Sequence, residues 1–193
     1  MRSPNQFLVR PVGGRRYDNI EKYGDISFIT SSSQEDHTVS NRYAEVLSTP
    51  LGYDGPIEKG DTLLVHHNVF KKYYDMKGRE KSGPCHFRND IFMVEPDQFF
   101  LYKKDGAWHT HSRYCFVRPL DNLDADIFNM NIENNNHRHL VGEVVYSNTQ
   151  LEELGVETGD IIGFQPHSEY PFTIEGEVLY RMFTKNICIK IST

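Results

Sequence analysis

Apolar residues along the chain gather in short runs bounded by glycine, proline, asparagine and aspartate, the punctuation of strands and turns. The runs come in one order, and that order occurs twice. The first set is Leu8–Val12, Ala44–Leu47, Lys59–Val65, Ile91–Val94 and Phe99–Tyr102; the second is Phe116–Leu120, Gly142–Val145, Thr158–Phe164, Val178–Met182 and Ile187–Ile191. Each set opens on an Arg-Pro step, continues through Glu-Val, and turns at Gly-Asp into aliphatics. Matching residues are 108 apart at Arg10 and Arg118, 98 at Glu45 and Glu143, 99 at Gly60 and Gly159, and 88 at Phe99 and Ile187. The separation changes only between runs, where loops absorb insertions. Internal repetition sets the architecture before any local assignment does. The expectation is an all-β chain of two tandem copies of one small domain, residues 1–108 and 109–193.

Phe7–Val12 and Tyr114–Leu120 are expected to be the opening strands. Pro11 and Pro119 lack an amide proton, which predicts that ladder pairing stops there and that each opening strand lies near a sheet edge. The stretch 13–40 holds Gly13-Gly14, Gly24 and Ser31-Ser32-Ser33, is longer than ordinary connections and lacks helical periodicity. Such loops are functional or disordered. Its counterpart 121–139 is polar and rich in asparagine. Glu58–Asp61 and Glu157–Asp160 carry turn chemistry just before strands, and Gln150–Leu154 predicts a single helical turn. Between the third and fourth runs of the first copy, residues 71–88 form an extra arm, with a hairpin expected over Tyr73–Arg79.

The formal charge of −6 argues against general nucleic-acid binding. It hides a local reversal. Within 71–88 lie Lys71, Lys72, Lys77, Arg79, Lys81 and Arg88 against Asp75 and Glu80, so the rest of the chain carries about −10. Cys85, Cys115 and Cys188 are odd in number and lack metal-type spacing, which fits free thiols in a reducing compartment. Met1-Arg2-Ser3-Pro4 leads into a strand without an apolar signal region, and no apolar run reaches bilayer length. The expectation is a cytoplasmic protein with no membrane partner.

Enzyme signatures are missing: no glycine-lysine phosphate loop, dinucleotide fingerprint, Gly-x-Ser-x-Gly elbow or His-Glu-x-x-His. His109/His111 and His137/His139 are spaced to share a strand face but have no nearby carboxylate or cysteine to complete a ligand set, so they read as linker histidines and no metal or cofactor is expected. His66-His67 reads as a strand end rather than an acid–base pair, because no nucleophile accompanies it. The arm residues Lys71, Lys72, Lys77, Arg79 and Lys81, with Tyr73 and Tyr74, combine cations and rings as single-stranded nucleic acid requires. Overall acidity favours a solvated face or a subunit contact. Ile26, Phe28 and Ile29 form an apolar cluster inside the polar 13–40 stretch, as a loop anchor for another protein would; packing onto their own domain is the competing reading.

These residues resemble the ten-kilodalton co-chaperonins, the GroES-like lids of chaperonin rings. The resemblance rests on the Arg-Pro opening, the long loop with Gly24-Asp25-Ile26-Ser27-Phe28-Ile29-Thr30, the Gly142-Glu143-Val144-Val145 strand and the Val156–Phe164 turn and strand. It spans nearly the whole chain, and the tandem form is similar to co-chaperonin-like proteins encoded by bacteriophages. It implies two partly open Greek-key β-barrels, no catalysis, a chaperonin ring as partner and a homo-oligomeric lid. It places the ring-binding anchor on Ile26, Phe28 and Ile29, and a weaker second one on Ile127, Phe128, Met130 and Ile132, scattered among asparagines. Since fold does not fix function, a structural or adaptor role, such as a virion component reusing the same domain, is the alternative.

Overall fold

A computed structural model describes residues 1–17, 20–23, 26–29, 39–111, 113–120 and 140–191, with 20–23 and 26–29 as backbone alone. Among the described residues the regular secondary structure is almost entirely antiparallel strand. It divides into two compact units, Met1–His109 and Thr110–Thr193.

The strands of unit 1 are β1 (Phe7–Pro11), β2 (Ile20–Tyr23), β3 (Ile26–Ile29), β4 (Tyr43–Ser48), β5 (Thr62–Val65), β6 (Lys72–Tyr74), β7 (Glu80–Ser82), β8 (His86–Arg88), β9 (Ile91–Val94), β10 (Phe99–Lys104) and β11 (Ala107–Thr110). Seven of them form one sheet in the order β11-β10-β5-β4-β1-β9-β8, while β2–β3 and β6–β7 are separate two-stranded sheets. Unit 2 contains β12 (Tyr114–Pro119), β13 (Val141–Tyr146), the short helix α1 (Thr149–Glu153), β14 (Ile161–Phe164), β15 (Tyr170–Ile174), β16 (Glu177–Phe183) and β17 (Ile187–Ile191). Its sheet runs β15-β16-β12-β13-β14-β17.

The two orders are the same order, with β11 added to the first. Register agrees residue by residue. Val9, Arg10 and Pro11 face Val46, Glu45 and Ala44, and Val117, Arg118 and Pro119 face Val144, Glu143 and Gly142. Both ladders are interrupted one residue before these triplets, between Leu8 and Val9 and between Phe116 and Val117. The pairing of β5 with β10 skips Phe100, and that of β14 with β17 skips Cys188, at matching places. The sequence separations of 108, 98, 99 and 88 are therefore the separations between equivalent strands of the two sheets.

The cores correspond as well. Phe7, Val9, Val46, Leu63, Val65 and Val94 are buried in one cluster of unit 1, and their counterparts Cys115, Val117, Val144, Ile162, Phe164 and Met182 in one cluster of unit 2. The Gly-Asp turns are also duplicated. Asp61 Oδ2 accepts from the Glu58 amide at 2.8 Å and Asp160 Oδ2 from the Glu157 amide at 2.7 Å. Gly60 and Gly159 take φ of 99° and 94°, values an L side chain disfavours, and each glycine amide donates back to the preceding strand.

One expectation fails. The opening strands are interior, since β1 lies between β4 and β9 and β12 lies between β13 and β16. Each proline is the last residue of its strand, so its missing N–H falls where the ladder ends and an edge position is unnecessary. The helical turn occurs at Thr149–Glu153, where the Asn148 side chain accepts from the Leu151 amide as an N-cap.

Candidate functional site

The long connection between β1 and β4 departs from the simple loop expected for 13–40. It contains the antiparallel hairpin β2–β3, in which Ile20, Glu21, Lys22 and Tyr23 face Ile29, Phe28, Ser27 and Ile26. Ile26, Phe28 and Ile29 thus sit on one strand of a hairpin that is not part of the seven-stranded sheet. Their side chains lie outside the described residues.

The base of this connection is fastened to unit 1. Tyr17 and Ser40 form an isolated antiparallel bridge, and the Asn41 amide donates to Arg16 O at 3.0 Å. Asn41, 3% exposed, ties the two ends together: Nδ2 donates to Val12 O at 2.9 Å and Arg15 O at 2.7 Å, and Oδ1 accepts from the Tyr43 amide at 2.9 Å. A buried amide with all these bonds made holds a loop base firmly, because losing them leaves desolvated groups unpaired. The Arg16 guanidinium lies 4.7 Å from the Phe92 ring centroid and donates to Ser82 Oγ at 2.8 Å. The Tyr17 hydroxyl accepts from the Lys72 amide at 2.8 Å.

The last two contacts link the loop base to the basic arm. In that arm Lys72, Tyr73 and Tyr74 face Ser82, Lys81 and Glu80. The connecting turn closes on Asp75, whose Oδ1 accepts from the Lys77 and Arg79 amides, both at 2.9 Å, with Gly78 at φ 71°. These backbone donors, with the Arg79 side chain, hold the Asp75 carboxyl below its ordinary range. Two of the five arm cations are spent internally: Lys72 on Glu80 at 2.8 Å and Arg79 on Asp75 at 3.1 Å. Lys71, Lys77 and Lys81 make no ion pair among the described residues. Met76 at the tip is fully exposed, and Tyr73 is 44% exposed.

Ile127, Phe128, Met130 and Ile132 lie outside the described residues, as do His137 and His139. His109 stacks on Tyr102 with ring centroids 5.2 Å apart, and the His66 and His67 rings lie tilted to each other with centroids 4.1 Å apart. Among the described residues there is no cluster of three or more His, Cys, Asp or Glu that could hold a metal. Among them, too, no helix is long and apolar enough to cross a membrane.

Sequence reasoning placed Ile26, Phe28 and Ile29 in a long connection and the five cations in an arm. It missed Arg16, Tyr17 and Asn41, the residues that join the two. The spacing of polar residues carried no signal for them, since their partners are backbone groups together with the Ser82 hydroxyl and the Phe92 ring far along the chain. Comparison with models of known protein families and with curated proteins finds no match.

Proposed function

We propose that the chain is a co-chaperonin-like lid, acting in the cytoplasm, that caps a chaperonin ring and assists protein folding without catalysing a reaction. The partly open Greek-key barrels implied by the GroES-like resemblance belong to this proposal. The observation that carries it is the β2–β3 hairpin: an apolar triad on a strand that is not part of the main sheet, in a connection whose base Asn41 and Tyr17 tie down.

Burying one large apolar side chain contributes roughly 1.5 to 3 kcal/mol, so Ile26, Phe28 and Ile29 together contribute about 5 to 9 kcal/mol. Fixing a residue's backbone costs about 1 to 2 kcal/mol, which cancels most of that gain over a short segment. One loop therefore binds weakly. Several loops presented by one assembly bind about a hundredfold to ten-thousandfold more tightly, because later contacts become intramolecular. A lid of this kind grips through many contacts and releases through each.

Self-association has its own support. The outer edge of β10 is covered by β11, whereas the equivalent β17 ends its sheet among the described residues, with Ile189 half exposed. An unpaired edge of this type is a template for a strand from another copy.

Substituting Phe28→Ser and Ile29→Ser together is expected to abolish co-sedimentation with a chaperonin ring in the presence of nucleotide while leaving the circular dichroism spectrum unchanged. Undiminished co-sedimentation would remove the hairpin from the binding surface.

A further inference from the structure

Unit 2 carries a shallow cavity of about 260 Å³ lined by Arg113, Gln150, Phe183, Thr184 and Lys185. Its walls are fixed by buried hydrogen bonds. Asn148 Nδ2 donates to Tyr114 O at 2.8 Å and to Thr184 Oγ1 at 2.9 Å. The Thr184 amide donates to Arg113 O at 3.0 Å, and its hydroxyl donates to the same oxygen at 3.2 Å. Asn148 also caps α1, which brings Gln150 to the rim.

Two cations are gathered on one ring there. The Arg113 guanidinium lies 5.3 Å and Lys185 Nζ 5.6 Å from the Phe183 centroid. A third, Arg181, lies 5.5 Å from the same ring and is itself engaged by Tyr114 and Tyr170. Arg113 and Lys185 have no carboxylate partner among the described residues. Glu153 lines the adjoining depression with Arg113 but forms no ion pair with it. The ring attracts each of the two cations, and both line the same cavity.

The duplication shows that the fold does not need this charge. The residues of unit 1 at the same register positions are Asn5 for Arg113, Glu95 for Phe183 and Asp97 for Lys185, so the corner is acidic in one copy and basic in the other.

We propose that this corner of unit 2 binds the phosphate group of a small ligand. A doubly charged tetrahedral oxyanion neutralises Arg113 and Lys185 together, the planar guanidinium offers paired donors to two of its oxygens, and the Gln150 amide supplies a neutral donor at the rim. The inference is independent of chaperonin binding.

The test is a titration of the ¹⁵N-labelled full chain, followed by amide shifts, with inorganic phosphate and with adenosine monophosphate, against sodium chloride at matched ionic strength. Saturable shifts confined to the surroundings of Arg113, Gln150 and Lys185 are expected, with affinity at least about tenfold lower in Arg113→Ser/Lys185→Ser. Lys185→Asp, which installs the unit 1 residue, is a second variant, expected to keep the wild-type circular dichroism spectrum and to lose binding. Tighter binding of the nucleotide assigns the phosphate to a nucleotide source, and equal binding to the free ion. Shifts that do not saturate, that sodium chloride reproduces, or that persist at equal affinity in both variants overturn the proposal.

Discussion

The Arg-Pro and Glu-Val steps that mark the repeat are two ends of one interaction. Arg10 grips Glu45 through Nε at 3.0 Å and Nη2 at 2.9 Å, and Arg118 reaches Glu143 through Nη1 at 2.7 Å. The pattern was visible in the sequence, but its meaning was not, because the partners are brought together only by strand register. Other residues answer to position within the core. Burial pushes the Cys115 thiol up to about 12 and raises that of Cys85, whereas Cys188 is exposed. A maleimide reagent at neutral pH is expected to modify Cys188 alone in the native protein and all three thiols after denaturation, read by mass spectrometry. Gly142 shows the limit of the duplication. Its counterpart Ala44 is fully buried, yet a β-carbon at Gly142 collides with the Val117 side chain and the Arg118 carbonyl oxygen. Gly142→Ala is expected to destabilise the protein by about 1 to 3 kcal/mol in denaturant titration.

At the scale of elements, ten of the thirteen strands in the two main sheets were readable from apolar runs, and the turns from glycine and aspartate, whereas β8, β11 and β15 were not. Edge placement was not, because proline marks a strand's end as readily as a sheet's edge, and sequence alone does not say which. The hairpin β2–β3 was also missed, since its strands are only four residues long, too short for alternation to stand out within a polar connection. The two sheets also differ in the ion pairs around the Arg-Pro arginine. Arg118 on β12 is bonded to both Glu143 on β13 and Glu177 on β16, whereas in unit 1 the position equivalent to Glu177 is Asn89. Arg118 holds the Glu177 carboxyl below its ordinary range. A carboxylate depressed in this way stabilises the fold above its ordinary value and loses that contribution as pH falls through the lowered one. Glu177→Gln is therefore expected to lower Tm by a few degrees at most at neutral pH, the pair being solvent-screened. The gap between wild type and variant should close as the solution is acidified; a gap that widens toward acid would contradict the assignment.

At the scale of the whole molecule, the proposed capping function raises the question of how two units per chain would meet a ring. Chaperonin rings of the bacterial type are sevenfold, so an even number of domains from whole chains does not match the ring one for one. The apolar triad of the first loop has only a scattered counterpart in Ile127, Phe128, Met130 and Ile132, so the proposed lid would use one loop per chain and seven chains. The tandem plan was legible because insertions fell between strands and left each strand's spacing intact. The loop base was not, because Arg16, Tyr17 and Asn41 act on groups distant in sequence. The most direct test is native mass spectrometry of the protein alone and mixed with a chaperonin ring and nucleotide. A lid-sized oligomer that joins the ring in a defined ratio is the expected result; a chain that never associates with the ring at any nucleotide state would contradict the capping function.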